Sequence, residues 1–533
     1  MKTKIVKTLV GIESEVHAFF ARQVREEIKD KAACMLLATI SNLYSEGGKG
    51  QYVRHCEYAN ALCGGHEFST NGARIYLDHN RYLEYSTPPC TDTLEAVASI
   101  RAGDRIISRA IVELRTKLKK ESNAQSVLAI RNNIDYAGHS YGTHVNVRMS
   151  RKGFDRIYED KKLREDFIIP FFITLPIICG SGRCSSEKGE DIFQIWQRAD
   201  FINDENLVSL NTMGPKRPLI NSRDEPLSVD PNLARFHIIA FDANRMEVAE
   251  YLKLGLLKLL CAAIDADRCN VSLKLKDPLR AIQRISHKPF EPIELEEKEA
   301  GSMSAVEIQR LFYNSFQKLF QQGIYSDRIP DAQEILVRWD DVLTALEKDP
   351  FGLLVGKIDW ITKFLWLEKI RSAKGLTWNS SDLKWLDIQY HIIGGSQAPV
   401  LPQESLIDKN RIKSLITHAP KNSRAALRGE LIRRFNDSTL LLNWHYLITA
   451  DGQFAMLIPD DPDQKIFNKM ERLDMALSLT EAADLLELER IELDLNQSNN
   501  EMEINPEQDL HREGELLTIS KVTAGGKEHV NQN

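Results

Sequence analysis

Residues 71–87 read NGARIYLDHNRYLEYST, and their alternation decides the fold class. In an extended chain successive side chains point to opposite faces, so residues i, i+2 and i+4 share one. Arg74, Tyr76 and Asp78 therefore stand together, with Ile75 and Leu77 turned the other way toward a core. The stretch predicts a strand, a short bend and a second strand, on which Glu84 and Ser86 prolong the polar set. GIESE (11–15) repeats the device, with Glu13 and Glu15 two apart.

A hard cation such as Mg²⁺ takes oxygen ligands and keeps phosphate oxygens in its shell, and arginine grips phosphate bidentately. Carboxylates at 13, 15 and 84 beside Tyr76 and Arg74 suit that chemistry. An exposed strand with alternating charge accounts for the spacing equally well.

Around these strands, residues 4–13 read as a strand and 16–44 as a helix, with Phe19, Phe20, Val24 and Ile28 at helical spacing. Residues 45–70 are rich in Gly and Cys and read as a flexible loop. Residues 92–120 form a long helix capped by Thr91 or Asp92. Short strand-like runs fill 127–241, and 246–264 is a buried helix. Helices follow at 304–348 and 357–373. A Gly/Pro-marked break at 394–404 leads to a helix at 425–435 and a hairpin at 439–457. The expected division is a catalytic domain over 1–400, a small C-terminal domain over 401–495, and a disordered tail over 496–533.

Lys+Arg 69 against Asp+Glu 76 gives a net charge of -7, without the basic excess of a general nucleic-acid binder. The most apolar run, FIIPFFITLPIIC (167–179), contains two prolines and is shorter than a membrane span, so it reads as core. Eight cysteines without a CxxC suit reduced thiols in a cytoplasmic protein. His55, Cys56, Cys63 and His66 have the ligand types for zinc but not the spacing of a common finger, and chance loop cysteines explain them as well.

The middle of the chain carries RNNID (131–135), GHSYGTHVN (138–146), QRAD (197–200), NSRDEP (221–226) and FHIIAFDAN (236–244). Polar strings at strand ends satisfy loop backbones or line a site, and together they suggest a large polar cavity roofed over a sheet. No GxxxxGK[ST] or helix-opening GxGxxG occurs, so neither a P-loop nor a Rossmann site is indicated.

GIESE, NGARIYLDH (71–79), EYST (84–87), SYGTHVN (140–146), QRAD, INSRDEP (220–226), FHIIAFDAN, YLKLG (251–255), LDIQYH (386–391) and ALRGELIRRF (426–435) occur in an order that resembles the Pup ligase and Pup deamidase/depupylase family. These enzymes act on the prokaryotic ubiquitin-like protein Pup. The resemblance runs from about residue 4 to about 450. It implies an α+β, glutamine synthetase-like fold: a curved antiparallel sheet packed on helices, with a small C-terminal domain.

It also implies ATP and Mg²⁺ as cofactors, and Pup and pupylated proteins of a proteasome pathway as partners, with no nucleic acid and no membrane. Carried over by motif, Glu13, Tyr76 and Glu84 become metal ligands, and Arg74, Thr87 and Trp444 become ATP contacts. Asp78 becomes the catalytic residue, and Glu15, His144, Arg223 and His237 fall near the metal or phosphates.

The match has departures. The family has His-Glu-Asn where this chain has His144-Val145-Asn146, which takes away a carboxylate and would weaken a metal position. Leu227 stands where His usually follows RDEP. Pro88-Pro89-Cys90 replaces Pro-Glu-Cys, and Tyr82-Leu83 replaces His-Pro.

Asp78-His79, EYSTPPCTDTLEAV (84–97), LTWNSSDLKWLDIQYH (376–391) and APKNSRAALRGELIRRF (419–435) look more like the deamidase branch. Thr87 and DYAGHSYG (135–142) look more like the ligase. The expectation is a Mg-ATP-dependent deamidase/depupylase. The alternatives are a Pup–protein ligase, a small-molecule carboxylate–amine ligase and a catalytically reduced nucleotide-binding regulator.

Overall fold

The computed structural model describes residues 6–20, 31–45, 52–55, 66–78, 82–120, 127–211, 216–296, 301–395 and 398–492, with short breaks at 422, 436–438, 443, 450–453, 463, 471, 474–475 and 477; beyond these it describes 521–523 and 526–527. Its main sheet has eight strands: β1 (Val10–Phe20), β2 (Tyr52–His55), β3 (His66–Ser69), β4 (Arg74–Leu77), β5 (Leu83–Ser86), β6 (Val127–Ile130), β7 (Thr143–Ser150) and β8 (Leu233–Ile238). They lie in the order β8-β7-β1-β5-β4-β3-β2, with β6 pairing the far half of β1. All these pairings are antiparallel.

The sheet is amphipathic because its strands alternate. Val10, Ile12, Ser14 and Val16 of β1 are buried, as are Val145, Val147 and Met149 of β7 and Phe236 and Ile238 of β8. Helix α1 (Ala32–Ser45) and helix α2 (Thr93–Lys120) cover this face through Leu36, Leu37, Ile40, Ile106, Ile107 and Ile111, which pack on Val16, Ile75 and Leu83. Helix α3 (Glu247–Asp265) is buried along nearly its whole length and packs under β7 and β8. Its lysines are paired: Lys253 with Glu250 at 3.0 Å and Lys258 with Asp331 at 3.0 Å. Helices thus occupy one face and leave the other to the polar side chains.

A second layer of helix and strands covers one end of the open face. Helix α4 (Arg424–Phe435) and strands β9 (Thr439–Leu442), β10 (Tyr446–Thr449) and β11 (Phe454–Leu457) form it. Leu427, Leu431, Leu447 and Met456 share a core with Phe68 of β3, which docks the layer onto the sheet edge. Gly72 permits this: its φ is +77°, and an added Cβ would stand 2.6 Å from the Ala425 Cβ.

The curved antiparallel sheet on helices is the glutamine synthetase-like architecture expected from the motifs. Several local expectations fail. Residues 16–20 continue β1 instead of opening a helix, because 17–20 pair with 127–130. Within 45–70, residues 52–55 and 66–69 are paired strands and not loop; the rest of that segment, including Cys56 and Cys63 of the suggested zinc cluster, lies outside the described residues apart from Ser45 and Thr70.

Residues 151–179 are largely helical, not strand-like: FIIPFFITLPIIC is buried as expected, but in short helices tolerating Pro170 and Pro176 near their starts. The 304–348 helix breaks into Ala305–Gln321 and Ala332–Lys348, and the 439–457 hairpin gains a third strand. Cys90, Cys179, Cys184, Cys261 and Cys269 are free thiols as expected, whereas Cys34 is disulfide-bonded. The expected disordered tail falls almost wholly outside the described residues. Among the described residues no helix is long and apolar enough to cross a membrane.

Candidate functional site

Register assembles the open face. Glu13 sits between Ser86 of β5 and His144 of β7, and Arg74 of β4 lies opposite Ser86. One step along, Glu15, Glu84 and Tyr76 form a second row across β1, β5 and β4. On the other side Gly11, Asn146 and His237 form a third.

Glu13 is the hub. Its carboxylate lies 3.4 Å from His144 Nδ1 and 4.0 Å from His237 Nδ1, and it accepts from Asn146 Nδ2 at 3.0 Å and Arg235 at 3.3 Å. Burial pulls its pKa upward, but the His144 hydrogen bond and the charge of Arg235 outweigh it and hold the group well below the usual carboxylate range. Burial drives the His237 imidazole far below its ordinary value, so it is neutral.

Glu84 behaves in the opposite way. It is 6% exposed, and burial followed by the charge of Glu13 raises its pKa well above the usual value; Tyr76 offsets this by a hydrogen bond. Glu13, Glu15, Glu84 and Asp78 thus crowd one face, and a cation is what would let Glu84 ionise there. With the Tyr76 phenol the donors are oxygens, so the set fits a hard divalent ion. Among the described residues, Glu13, His144 and His237 are also grouped closely enough to hold a metal, their ligand atoms within 4.8 Å of one another.

Arg74 lies over the Tyr76 ring at 4.5 Å and the Phe68 ring at 5.4 Å. Glu15 accepts from the Gly142 N–H at 2.6 Å, and any side chain at 142 would collide with His144 and Glu15. Asp78 immediately follows β4, where its Oδ1 accepts from the Tyr82 N–H at 2.7 Å.

Beside Glu13 opens a pocket walled by Leu9, Pro89, Leu227, Thr87, Arg424 and Trp444. The Thr87 hydroxyl accepts from the Ile12 N–H at 3.0 Å. Trp444 packs edge-on to Phe68, and the buried Arg428 fixes it, stacking at 4.9 Å and donating to the Trp444 carbonyl at 3.0 Å. Asp460 closes the rim, accepting from Arg424 at 2.8 Å, Ser228 Oγ at 2.7 Å and the Val229 N–H at 3.0 Å. The loop at the lip holds Arg223, Asp224 and Leu227 at positive φ, a strained form characteristic of functional loops.

The face therefore gathers Glu13, Glu15, Arg74, Tyr76, Glu84, His144 and His237, with Asp78 at its end and Thr87 and Trp444 in the adjoining pocket. Arg223 stands apart, exposed on its loop and felt through its charge on His237. Arg235, Asn146 and Arg428 are central but were not among the expected site residues. Arg235 had a signal, since it precedes His237 by two on a strand. The feared loss at Val145 is corrected: the side chain is 0% exposed in the core behind the sheet, so the metal-facing side loses nothing.

The fold is of the glutamine synthetase-like class. Within it the chain belongs to the Pup-ligase family, whose model, Pup-ligase protein, matches residues 12–448. A Pup–protein ligase from Saccharomonospora viridis is 30% identical over 415 residues, covering 76% of this chain and 89% of that protein. The structure of a complex between the prokaryotic ubiquitin-like protein Pup and its ligase PafA matches with a TM-score of 0.72 at 24% identity, over 90% of this chain and 94% of that one. The Pup ligase PafA in complex with ADP matches with a TM-score of 0.65 at 26% identity, over 77% of this chain and 90% of that one.

Proposed function

We propose that this chain is an ATP-dependent carboxylate–amine ligase that joins the C-terminal Glu side chain of a Pup-like protein to a target lysine. The observation that carries the reading is the crowded carboxylate face with Arg74 and an apolar-walled pocket beside it, which suits a magnesium-bound nucleotide. The direction follows the Saccharomonospora viridis relative, a Pup–protein ligase aligned across three quarters of the chain.

Glu13, Glu15, Glu84 and Tyr76 would hold magnesium, which when bound neutralises polyphosphate charge. Arg74 grips phosphate oxygens, with His144 and His237 beside them. Trp444, fixed by Arg428, and Leu227 and Pro89 hold the base, and Thr87 lines the same wall. ATP phosphorylates the carboxylate, and a lysine amine then attacks the acyl carbon and expels phosphate. Asp78, oriented by the Tyr82 N–H, takes the amine proton as general base.

The test is purified protein with Mg-ATP, a Glu-ended Pup-like peptide and a lysine acceptor, read by mass spectrometry. An isopeptide adduct with stoichiometric ADP is expected, and Asp78→Asn should slow it roughly 10²–10⁴-fold. Absence of both adduct and ADP would overturn the reading. The strings beginning Asp78-His79 and 376–391 favour a second reading, the deamidase/depupylase, which predicts instead conversion of a Gln-ended peptide to its acid without an adduct.

A further inference from the structure

The open face continues past the carboxylate cluster into an aromatic corner. His17 follows Glu15 by two on β1, and Tyr82 immediately precedes β5. The Tyr82 and Tyr141 rings meet edge-on at 5.0 Å, and His17 packs on both, at 5.6 and 5.3 Å. Tyr141 donates its hydroxyl to Asp135 Oδ2 at 2.8 Å, and the Ala137 and His139 N–H groups fix Oδ1 at 2.8 and 3.1 Å. His17 Nδ1 is enclosed there with no hydrogen-bond partner.

We propose that the Tyr82 ring, with Asp135 at the rim and the buried Tyr141 behind them, seats the primary ammonium of the acceptor lysine and presents it to Asp78; the inference rests on the ligase reading above. Tyr82 is tied to Asp78 through its own N–H at 2.7 Å, so the corner adjoins the base. Asp135 holds the Tyr141 hydroxyl and Asp78 holds the Tyr82 N–H, so two carboxylates flank the paired rings. A cation on the Tyr82 ring beside carboxylates is stabilised, whereas a carboxylate or phosphate placed there is repelled. His139 now holds Asp135 at 2.6 Å, but its side chain is 65% exposed and leaves freely when an ammonium arrives.

In the reaction the ammonium gives one proton to Asp78, and the nitrogen lone pair forms the bond to the acyl carbon. The carbon–oxygen bond to phosphate breaks, phosphate leaves with that electron pair, and the second amine proton passes to solvent.

The experiment compares a lysine-bearing peptide with hydroxylamine, which is uncharged near neutral pH and traps the acyl phosphate as a hydroxamate. Asp135→Asn and Tyr82→Leu should each raise KM for the lysine peptide about tenfold and lower the lysine-to-hydroxylamine ratio of kcat/KM to match. Asp135→Glu should restore part of the ratio. If wild type forms hydroxamate and neither variant moves the ratio, the corner proposal is overturned while the ligase reading stands. If wild type forms no hydroxamate, the ligase reading fails and takes this proposal with it.

Discussion

Two polar regions of the same fold are built on opposite principles. Among the helices, Lys363 is fully buried and donates to Asp387 at 2.6 Å, to the Gly182 carbonyl at 2.7 Å and to His391 at 2.8 Å. Tyr136 and the Cys184 N–H complete the Asp387 shell. Burial and the Lys363 charge drive the His391 pKa far down, so a neutral ring accepts from the lysine. Nearby, Asp359 accepts from Asn244, the Arg245 N–H and the Tyr390 hydroxyl. Charge and counter-charge balance there. On the open face Glu13, Glu15, Glu84 and Asp78 outnumber Arg74 and Arg235. A balanced polar cluster holds a fold together; an unbalanced one is completed by a ligand.

Breaking the balanced side should have the largest effect. Lys363→Met strands Asp387 and should cost about 3–5 kcal/mol in denaturant unfolding. A loss under about 1 kcal/mol would show that the layer tolerates imbalance and that the contrast is false.

The open face should respond to pH in the opposite sense from an ordinary stabilising carboxylate. Because the folded Glu84 pKa is raised, the folded chain binds its proton more tightly than the unfolded chain. Its contribution is full below the ordinary value of 4.5 and is lost as pH rises through the folded value. Glu13, held low, contributes above 4.5 and loses that as pH falls. In chelator, Glu84→Gln should flatten the decline above pH 4.5 and stabilise the protein at neutral pH by roughly 1–3 kcal/mol. Thermal melts across pH measure this, and an unchanged slope would remove the case for a strained carboxylate.

The smallest effect is expected at the rim. Asp460→Asn keeps an acceptor for Ser228 and Val229 but loses the charge facing Arg424, costing about 1 kcal/mol and raising KM for ATP a few-fold. A rise in KM with kcat held would place Asp460 at the pocket wall; a fall in kcat alone would place it elsewhere.

Period-two alternation was enough to put Arg74 and Tyr76 on one face, Glu13 with Glu15, and Glu84 with Ser86. The same rule already turned Val145 away from His144 and Asn146, and comparison by motif obscured it. Helix α3 and the Asp92 cap were equally legible, since apolar density and capping act within a few residues. The 16–20 segment is not legible from sequence, because its Phe pair suits a helix as well as a strand and only pairing with 127–130 decides between them.

The acidic open face began as a spacing argument that an exposed strand could equally satisfy. By itself the sequence determined the alternating faces, the order of the motifs and hence the family. The tertiary structure decided which strands are neighbours, and so brought Arg235 and Asn146 onto Glu13, buried Glu84 beside it, and set Trp444 over the pocket. Alternation is local, carried by each strand's own backbone. Register and burial arise from hydrogen bonds and packing between distant segments, and no single stretch of chain encodes them.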